Sequence, residues 1–155
     1  MSPHCIAEKR PKPYAVLSST PSDSHTWNLL FVQMLMEENG WSVTNLGACV
    51  PVAMLMDESL RRVPDMIVLS TVNGHGAQEA RQVIAALRAQ PSLARVPVAL
   101  GGKLCVSEDR ERAVVDELVA AGFDAVLVGD TAVPVFRSLL TRAAAMPGRH
   151  AGRRA

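Results

Sequence analysis

Asp65-Met66-Ile67-Val68-Leu69-Ser70-Thr71 decides the fold. Its apolar residues run on without the alternation expected of a strand with one wet face, so the segment reads as a strand covered on both sides. Working outward, Tyr14–Ser19 is a second short apolar run, opening into the polar segment Ser18–Ser24. Trp27, Leu30, Phe31, Met34 and Leu35 then recur at helical spacing as far as Asn39-Gly40, a typical helix end. Trp41–Gly47 reads as a strand and Met54–Arg62 as a helix that stops before Pro64. Beyond the central run, Ala77–Ala89 is helical, with Val83, Ile84 and Leu87 on one side. Val96–Leu100 is a strand ending in Gly101-Gly102, and Glu108–Ala121 a helix with Gly122 behind it. Asp124–Val128 and Ala132–Ala145 are the last strand and helix.

Strands alternating with helices through short turns predict an α/β architecture, a doubly wound five-stranded parallel sheet with helices on both faces. Residues 13–146 would form this one domain. Residues 1–12, with Pro3 and Pro11 among charges, read as a flexible tether, and residues 147–155 as a disordered basic tail. The tail arginines Arg149, Arg153 and Arg154 are then simply solvated. Ligands of such sheets sit beyond the carboxyl ends of the strands, near the point where strand order reverses. The polar or glycine-rich stretches Ser22–Asn28, Ser70–Gly76 and Gly101–Lys103 all fall there.

Composition narrows the function. Sixteen basic side chains nearly cancel fifteen acidic ones, which leaves no electrostatic argument for nucleic acid or an anionic membrane. With 48% apolar residues the chain can bury a useful core. Cys5, Cys49 and Cys105 form no CxxC pair, which fits a reducing compartment; Cys49 and Cys105 are expected to fill small apolar spaces. No signal peptide is apparent, and no apolar run approaches the roughly 20 residues of a membrane helix. The expected location is the cytoplasm.

The chemistry-bearing segments are each ambiguous locally. In Asp23-Ser24-His25, either Ser22 or Asp23 caps the next helix and His25 is merely exposed, or His25 ligates a transition metal while Asp23 accepts from its other nitrogen. In Ser70-Thr71-Val72-Asn73-Gly74-His75-Gly76, the glycines either make a tight turn or let a bulky ligand approach the backbone. In the second reading the Ser70 hydroxyl would donate to a ring nitrogen. Gly101-Gly102 has the same two readings. GxGxxG and Walker loops are absent, which disfavours dinucleotides, nucleotide phosphates and FMN. His75 reads as a turn-exposed histidine, and Trp27, Phe31 and Met34 as core or interface rather than a cofactor box.

Together the three segments resemble the cobalamin-binding small (sigma) subunit of glutamate mutase, or methylaspartate mutase. That family carries Asp-x-His-x-x-Gly after the first strand, Ser-x-Leu at the end of the third and Gly-Gly after the fourth. Here they stand as Asp23-Ser24-His25-Thr26-Trp27-Asn28, Ser70-Thr71-Val72 and Gly101-Gly102, and the likeness runs from about Tyr14 to Arg142. It implies a flavodoxin-like (Rossmann-like) cobalamin-binding fold and adenosylcobalamin as cofactor. Its benzimidazole base would be displaced, with His25 as the cobalt ligand and Asp23 behind it. The displaced tail would enter a pocket lined by Ser70, Val72, Gly101 and Gly102 and bordered by Lys103, Leu104 and Cys105. Ser22, Ser24, Thr26, Asn28, Thr71 and Gly74 complete the implied contacts. The implied partner is a large, epsilon-type barrel subunit that holds the amino-acid substrate, and glutamate would be converted to 3-methylaspartate only with that partner present. Two residues depart from the pattern. Val72 for leucine is a modest change of volume. Asn28 for glycine adds a side chain where the tail comes close, and puts affinity in question. The alternatives are a cobalamin carrier for another radical mutase or for methyl transfer, and a cobalamin-free scaffold.

Overall fold

The computed structural model describes residues 11–146; the tether before them and the tail from residue 147 lie outside the described residues. Five strands, β1 (Tyr14–Ser18), β2 (Ser42–Asn45), β3 (Met66–Thr71), β4 (Val98–Gly102) and β5 (Ala125–Leu127), alternate with five helices. The helices are α1 (Trp27–Glu38), α2 (Val52–Arg61), α3 (Gly76–Ala89), α4 (Glu108–Ala121) and α5 (Ala132–Ala145). The sheet is parallel throughout, in the order β2-β1-β3-β4-β5. Every residue of β1 and β3 is buried, as an uninterrupted apolar run requires, whereas the edge strands β2 and β5 are only partly covered.

Two cores flank the sheet. Val16, Ile67, Leu69, Val98 and Leu100 pack on one face with Ile84, Leu87 and Leu118 of α3 and α4. Ala15, Leu17, Met66 and Val68 pack on the other with Leu29, Met36, Phe136 and Leu140 of α1 and α5. Among the described residues no helix is long and apolar enough to cross a membrane.

Three expectations need correction. First, β4 begins and ends two residues later than its apolar run suggests. Gly101 and Gly102 belong to the strand and pair with Ser70 and Thr71, while Val96 closes a turn on Leu93. Second, of the two readings of Trp27, Phe31 and Met34, core or interface, core is excluded: they are 82%, 51% and 60% exposed. Helix α1 is apolar on nearly every side, and the face turned to the sheet carries Leu29 and Met36 with Val32 packed beside them. Two stripes have helical spacing, and periodicity cannot choose between them. Third, Cys49 is exposed, with φ +52°, and fills nothing; Cys105 does pack against the core, half buried.

The chain leaves β1 toward β2 on one side and returns to β3 on the other. The reversal therefore lies between β1 and β3, whose carboxyl ends carry Ser18 and Thr71.

Candidate functional site

The loop from β1 to α1 is latched onto the end of β3 by one carboxylate. Asp23 has no exposed side-chain surface. Its Oδ2 accepts from the Thr71 hydroxyl and the Val72 N–H, both at 2.7 Å. Its Oδ1 accepts from the His25 N–H at 2.9 Å and faces His25 Nδ1 at 2.7 Å. Burial alone pushes the pKa of Asp23 up, but these hydrogen bonds outweigh it and hold the carboxyl at about 2. A carboxylate so placed fixes the proton on Nδ1 and leaves the Nε2 lone pair outward. The ring is 60% exposed, as a ligand to a group outside the chain must be. The helix-cap reading of this loop is overturned: Thr26 is the N-cap of α1, and no side chain caps it.

Neighbouring groups stiffen the latch. Thr20 Oγ1 donates to Thr71 Oγ1 at 3.2 Å, and the Cys49 N–H donates to the Asp23 carbonyl at 2.9 Å. Asn73 Nδ2 donates to Ser22 Oγ at 2.9 Å. Gly76 opens α3 directly against Thr71, where a Cβ would come within 2.6 Å of the threonine hydroxyl oxygen. That glycine serves the latch, not the approach of a ligand.

Beside the latch, a cavity of about 170 Å³ opens between α1 and α5 over the ends of β3, β4 and β5. Its wall includes Ser70, Val72, Gly101 and Gly102, the four residues expected to share a pocket. The two glycines are there for different reasons. Gly102 has φ +121°, and a Cβ on it would meet the Thr71 carbonyl oxygen at 1.8 Å, so the backbone itself demands glycine. At Gly101 a Cβ would find only ordinary contacts, the nearest being the Leu127 carbonyl oxygen at 3.6 Å. Packing does not demand glycine at 101; the open space beside it is cavity.

Asn28 stands in the same wall. Its Nδ2 donates to Ser70 Oγ at 2.8 Å, while its Oδ1 is shielded from water without a partner. The added side chain narrows the cavity without closing it.

Other expected contacts fall outside the cavity. Lys103, Leu104 and Cys105 are not in its wall: the Lys103 N–H bonds the Thr71 carbonyl, and Leu104 and Cys105 join the core on the opposite face of the sheet. Thr26 lines a wider depression of about 460 Å³ between α1 and the end of β2. Ser22, Ser24, Gly74 and His75 are exposed on the loops around the latch. Sequence reasoning set Phe31 aside from any cofactor site and passed over Leu127 and Phe136, yet all three stand in the cavity wall. No local signal marks the last two, because only the sheet order brings β5 and α5 next to α1. Phe31 lay in a helical pattern that hides which side faces the cavity.

A buried carboxylate behind an exposed imidazole, next to an apolar cavity with space at Gly101, suits a corrinoid bound through a histidine with its nucleotide tail inserted. The B12 binding domain model matches residues 13–137, the whole of the sheet and the first six residues of α5. The chain belongs to the B12 binding domain family. It is 36% identical over 91 residues to the HTH-type transcriptional repressor CarA of Myxococcus xanthus, covering 58% of this chain and 31% of that protein. Its fold is similar to that of a cobalamin-binding protein from Desulfitobacterium hafniense DCB-2 (TM-score 0.70, 23% identity, 85% of this chain and 59% of that one). It is also similar to the methanol:cobalamin methyltransferase complex MtaBC from Methanosarcina barkeri (TM-score 0.64, 17% identity, 87% of this chain and 49% of that one). At those identities the two structures show the fold alone. This B12-binding domain thus spans about a third of the repressor and half to three-fifths of the two solved chains.

Proposed function

We propose that this domain holds adenosylcobalamin with its lower base displaced, His25 being the axial ligand and the cavity between α1 and α5 taking the tail. The supporting observation is the Asp23–His25 pair, 2.7 Å apart, its carboxylate buried and held by the end of β3. In this reading Asp23 retains the Nδ1 proton and fixes the ring, so Nε2 meets the metal as a neutral donor. Ser70 faces the tail, and Val72 and Gly101 shape the space around it. The bound cofactor supplies a cobalt–carbon bond whose homolysis starts radical rearrangements.

The three motifs extend the proposal to a carbon-skeleton mutase. The chain would be the small subunit of a glutamate mutase, an isomerase acting in the cytoplasm, paired with a large barrel subunit that binds the amino acid. Positioning and axial ligation are its share of that work. The likeness to the repressor CarA favours a second reading, in which the domain serves as the cobalamin-binding part of a regulatory protein. A carrier role in another radical mutase or in methyl transfer has the same site.

The test is spectroscopic. Adenosylcobalamin added to the chain should give the spectrum of a base-off, histidine-ligated corrinoid, and His25→Ala should abolish it; an unchanged spectrum in the variant removes His25 from cobalt. Adding a mutase large subunit and glutamate then separates the roles. Formation of 3-methylaspartate supports the mutase, whereas histidine-ligated binding without turnover supports the regulatory or carrier reading.

A further inference from the structure

We infer that Asn28 and Ser70 select the lower base of the corrinoid, favouring one that offers a hydrogen-bond donor beside an acceptor, of the aminopurine kind, over dimethylbenzimidazole. The inference rests on the proposed reading of the cavity as the place of the displaced tail. Among the described residues, Asn28 and Ser70 are the only polar side chains in the cavity wall; the rest is aliphatic, aromatic or backbone. A flat aromatic base suits such walls, and its polar edge has one place to go.

That place is already half committed. Asn28 Nδ2 gives one hydrogen to Ser70 Oγ at 2.8 Å, which leaves its second hydrogen, the Ser70 proton and the Asn28 carbonyl oxygen unspent. The carbonyl oxygen is shielded from water and has no partner. Turning the amide over changes little, since Oδ1 would then accept from Ser70 and Nδ2 would take its place as a donor beside a serine lone pair. In both orientations the pair keeps at least one donor and at least one acceptor.

Dimethylbenzimidazole answers with a ring-nitrogen acceptor and otherwise carbon. It uses the donor and leaves a buried acceptor unmade, a deficit of about tenfold in affinity, or about 1.4 kcal/mol. An aminopurine edge carries an amino N–H next to a ring nitrogen, a donor beside an acceptor of the kind that polar side chains read on adenine. With that base the Ser70 proton and the Asn28 carbonyl oxygen are both satisfied.

Two corrinoids differing only in the lower base, adenine or dimethylbenzimidazole, test this by calorimetric affinity and by the histidine-ligated spectrum. The full chain, Asn28→Gly and the similarly branched, apolar Asn28→Leu are compared. Adenine is the weaker cobalt ligand and leaves the metal more easily, so the decisive quantity is the change in the affinity ratio between wild type and variant. The ratio should favour the adenine corrinoid about tenfold more in the wild type than in either variant. A ratio unchanged within about twofold across all three proteins, with histidine-ligated spectra intact, overturns base selection and leaves the proposed cofactor reading standing. Wild type giving that spectrum with neither corrinoid overturns both.

Discussion

A carboxylate without exposed surface at position 23 concentrates much of what this site requires. Asp23 was legible as a partner for His25 because the two lie on one short turn. That Thr71 and Val72 also hold it was not, since 48 and 49 residues separate them in the chain and only the pairing of β1 with β3 brings them together. The hydrogen bonds carry a cost when removed. The carboxyl is lowered from 3.8 to about 2, so its contribution to stability is complete above the unfolded value and is lost as pH falls through the folded one. In the cofactor-free protein, Asp23→Asn should destabilise by about 2 kcal/mol at neutral pH, with the penalty shrinking between pH 4 and 2, as urea unfolding across that range would show. The two glycines make a second contrast at this scale. The sequence presents Gly101-Gly102 as one signal; the structure gives the first to the cavity and the second to the backbone. Gly102→Ala should cost roughly 3 kcal/mol or more of stability, because the strained φ adds to a backbone collision. Gly101→Ala should unfold like the wild type, within about 1 kcal/mol, yet lose corrinoid affinity. Loss of stability in both alike would mean that neither glycine is there for a ligand.

Among the elements, α1 shows where pattern reading stops. Its existence and its end at Asn39 were plain from spacing and from Asn39-Gly40. Which side lies inside was not, because Trp27, Leu30, Phe31 and Met34 make as good a helical stripe as Leu29, Val32 and Met36. The sheet decides: α1 must start where Asp23 is pinned to β3 and Asn28 meets Ser70, and that fixes its rotation. Fully buried Leu29 should then cost about 2–4 kcal/mol when cut to alanine, while Trp27→Ser and Met34→Ser stay within about 0.5 kcal/mol of wild type. Chemical denaturation of the three variants checks it, and a reversed ranking would mean α1 is turned the other way. By contrast β1 and β3 were read correctly in kind and nearly in extent, since a strand buried on both faces has no alternative side to confuse.

Across the whole molecule, strand order converts separate loops into one site. The sheet was inferred from alternation alone, and with it the region near which a ligand binds. The pairing of α1 with α5 over the cavity was beyond reach, because it depends on β4 and β5 following β3 outward on the same side of the reversal. The consequence is two separate places where the proposed corrinoid would be held, an imidazole on the loop after β1 and a recess over β3 and β4. A corrinoid at a hundred times its Kd should stabilise the fold by about 2.7 kcal/mol, a rise in Tm on the order of 10 °C. In the proposed reading, where His25 meets the metal and Gly101 borders the tail, their effects should be independent. The fold-loss in affinity of His25→Ala plus Gly101→Ala should equal the product of the single losses within about twofold, each seen as a smaller thermal shift at fixed corrinoid concentration. A double variant no weaker than the worse single one would mean that the tail enters the recess only when the histidine has taken the metal. The two ends of the site would then act as a single coupled unit.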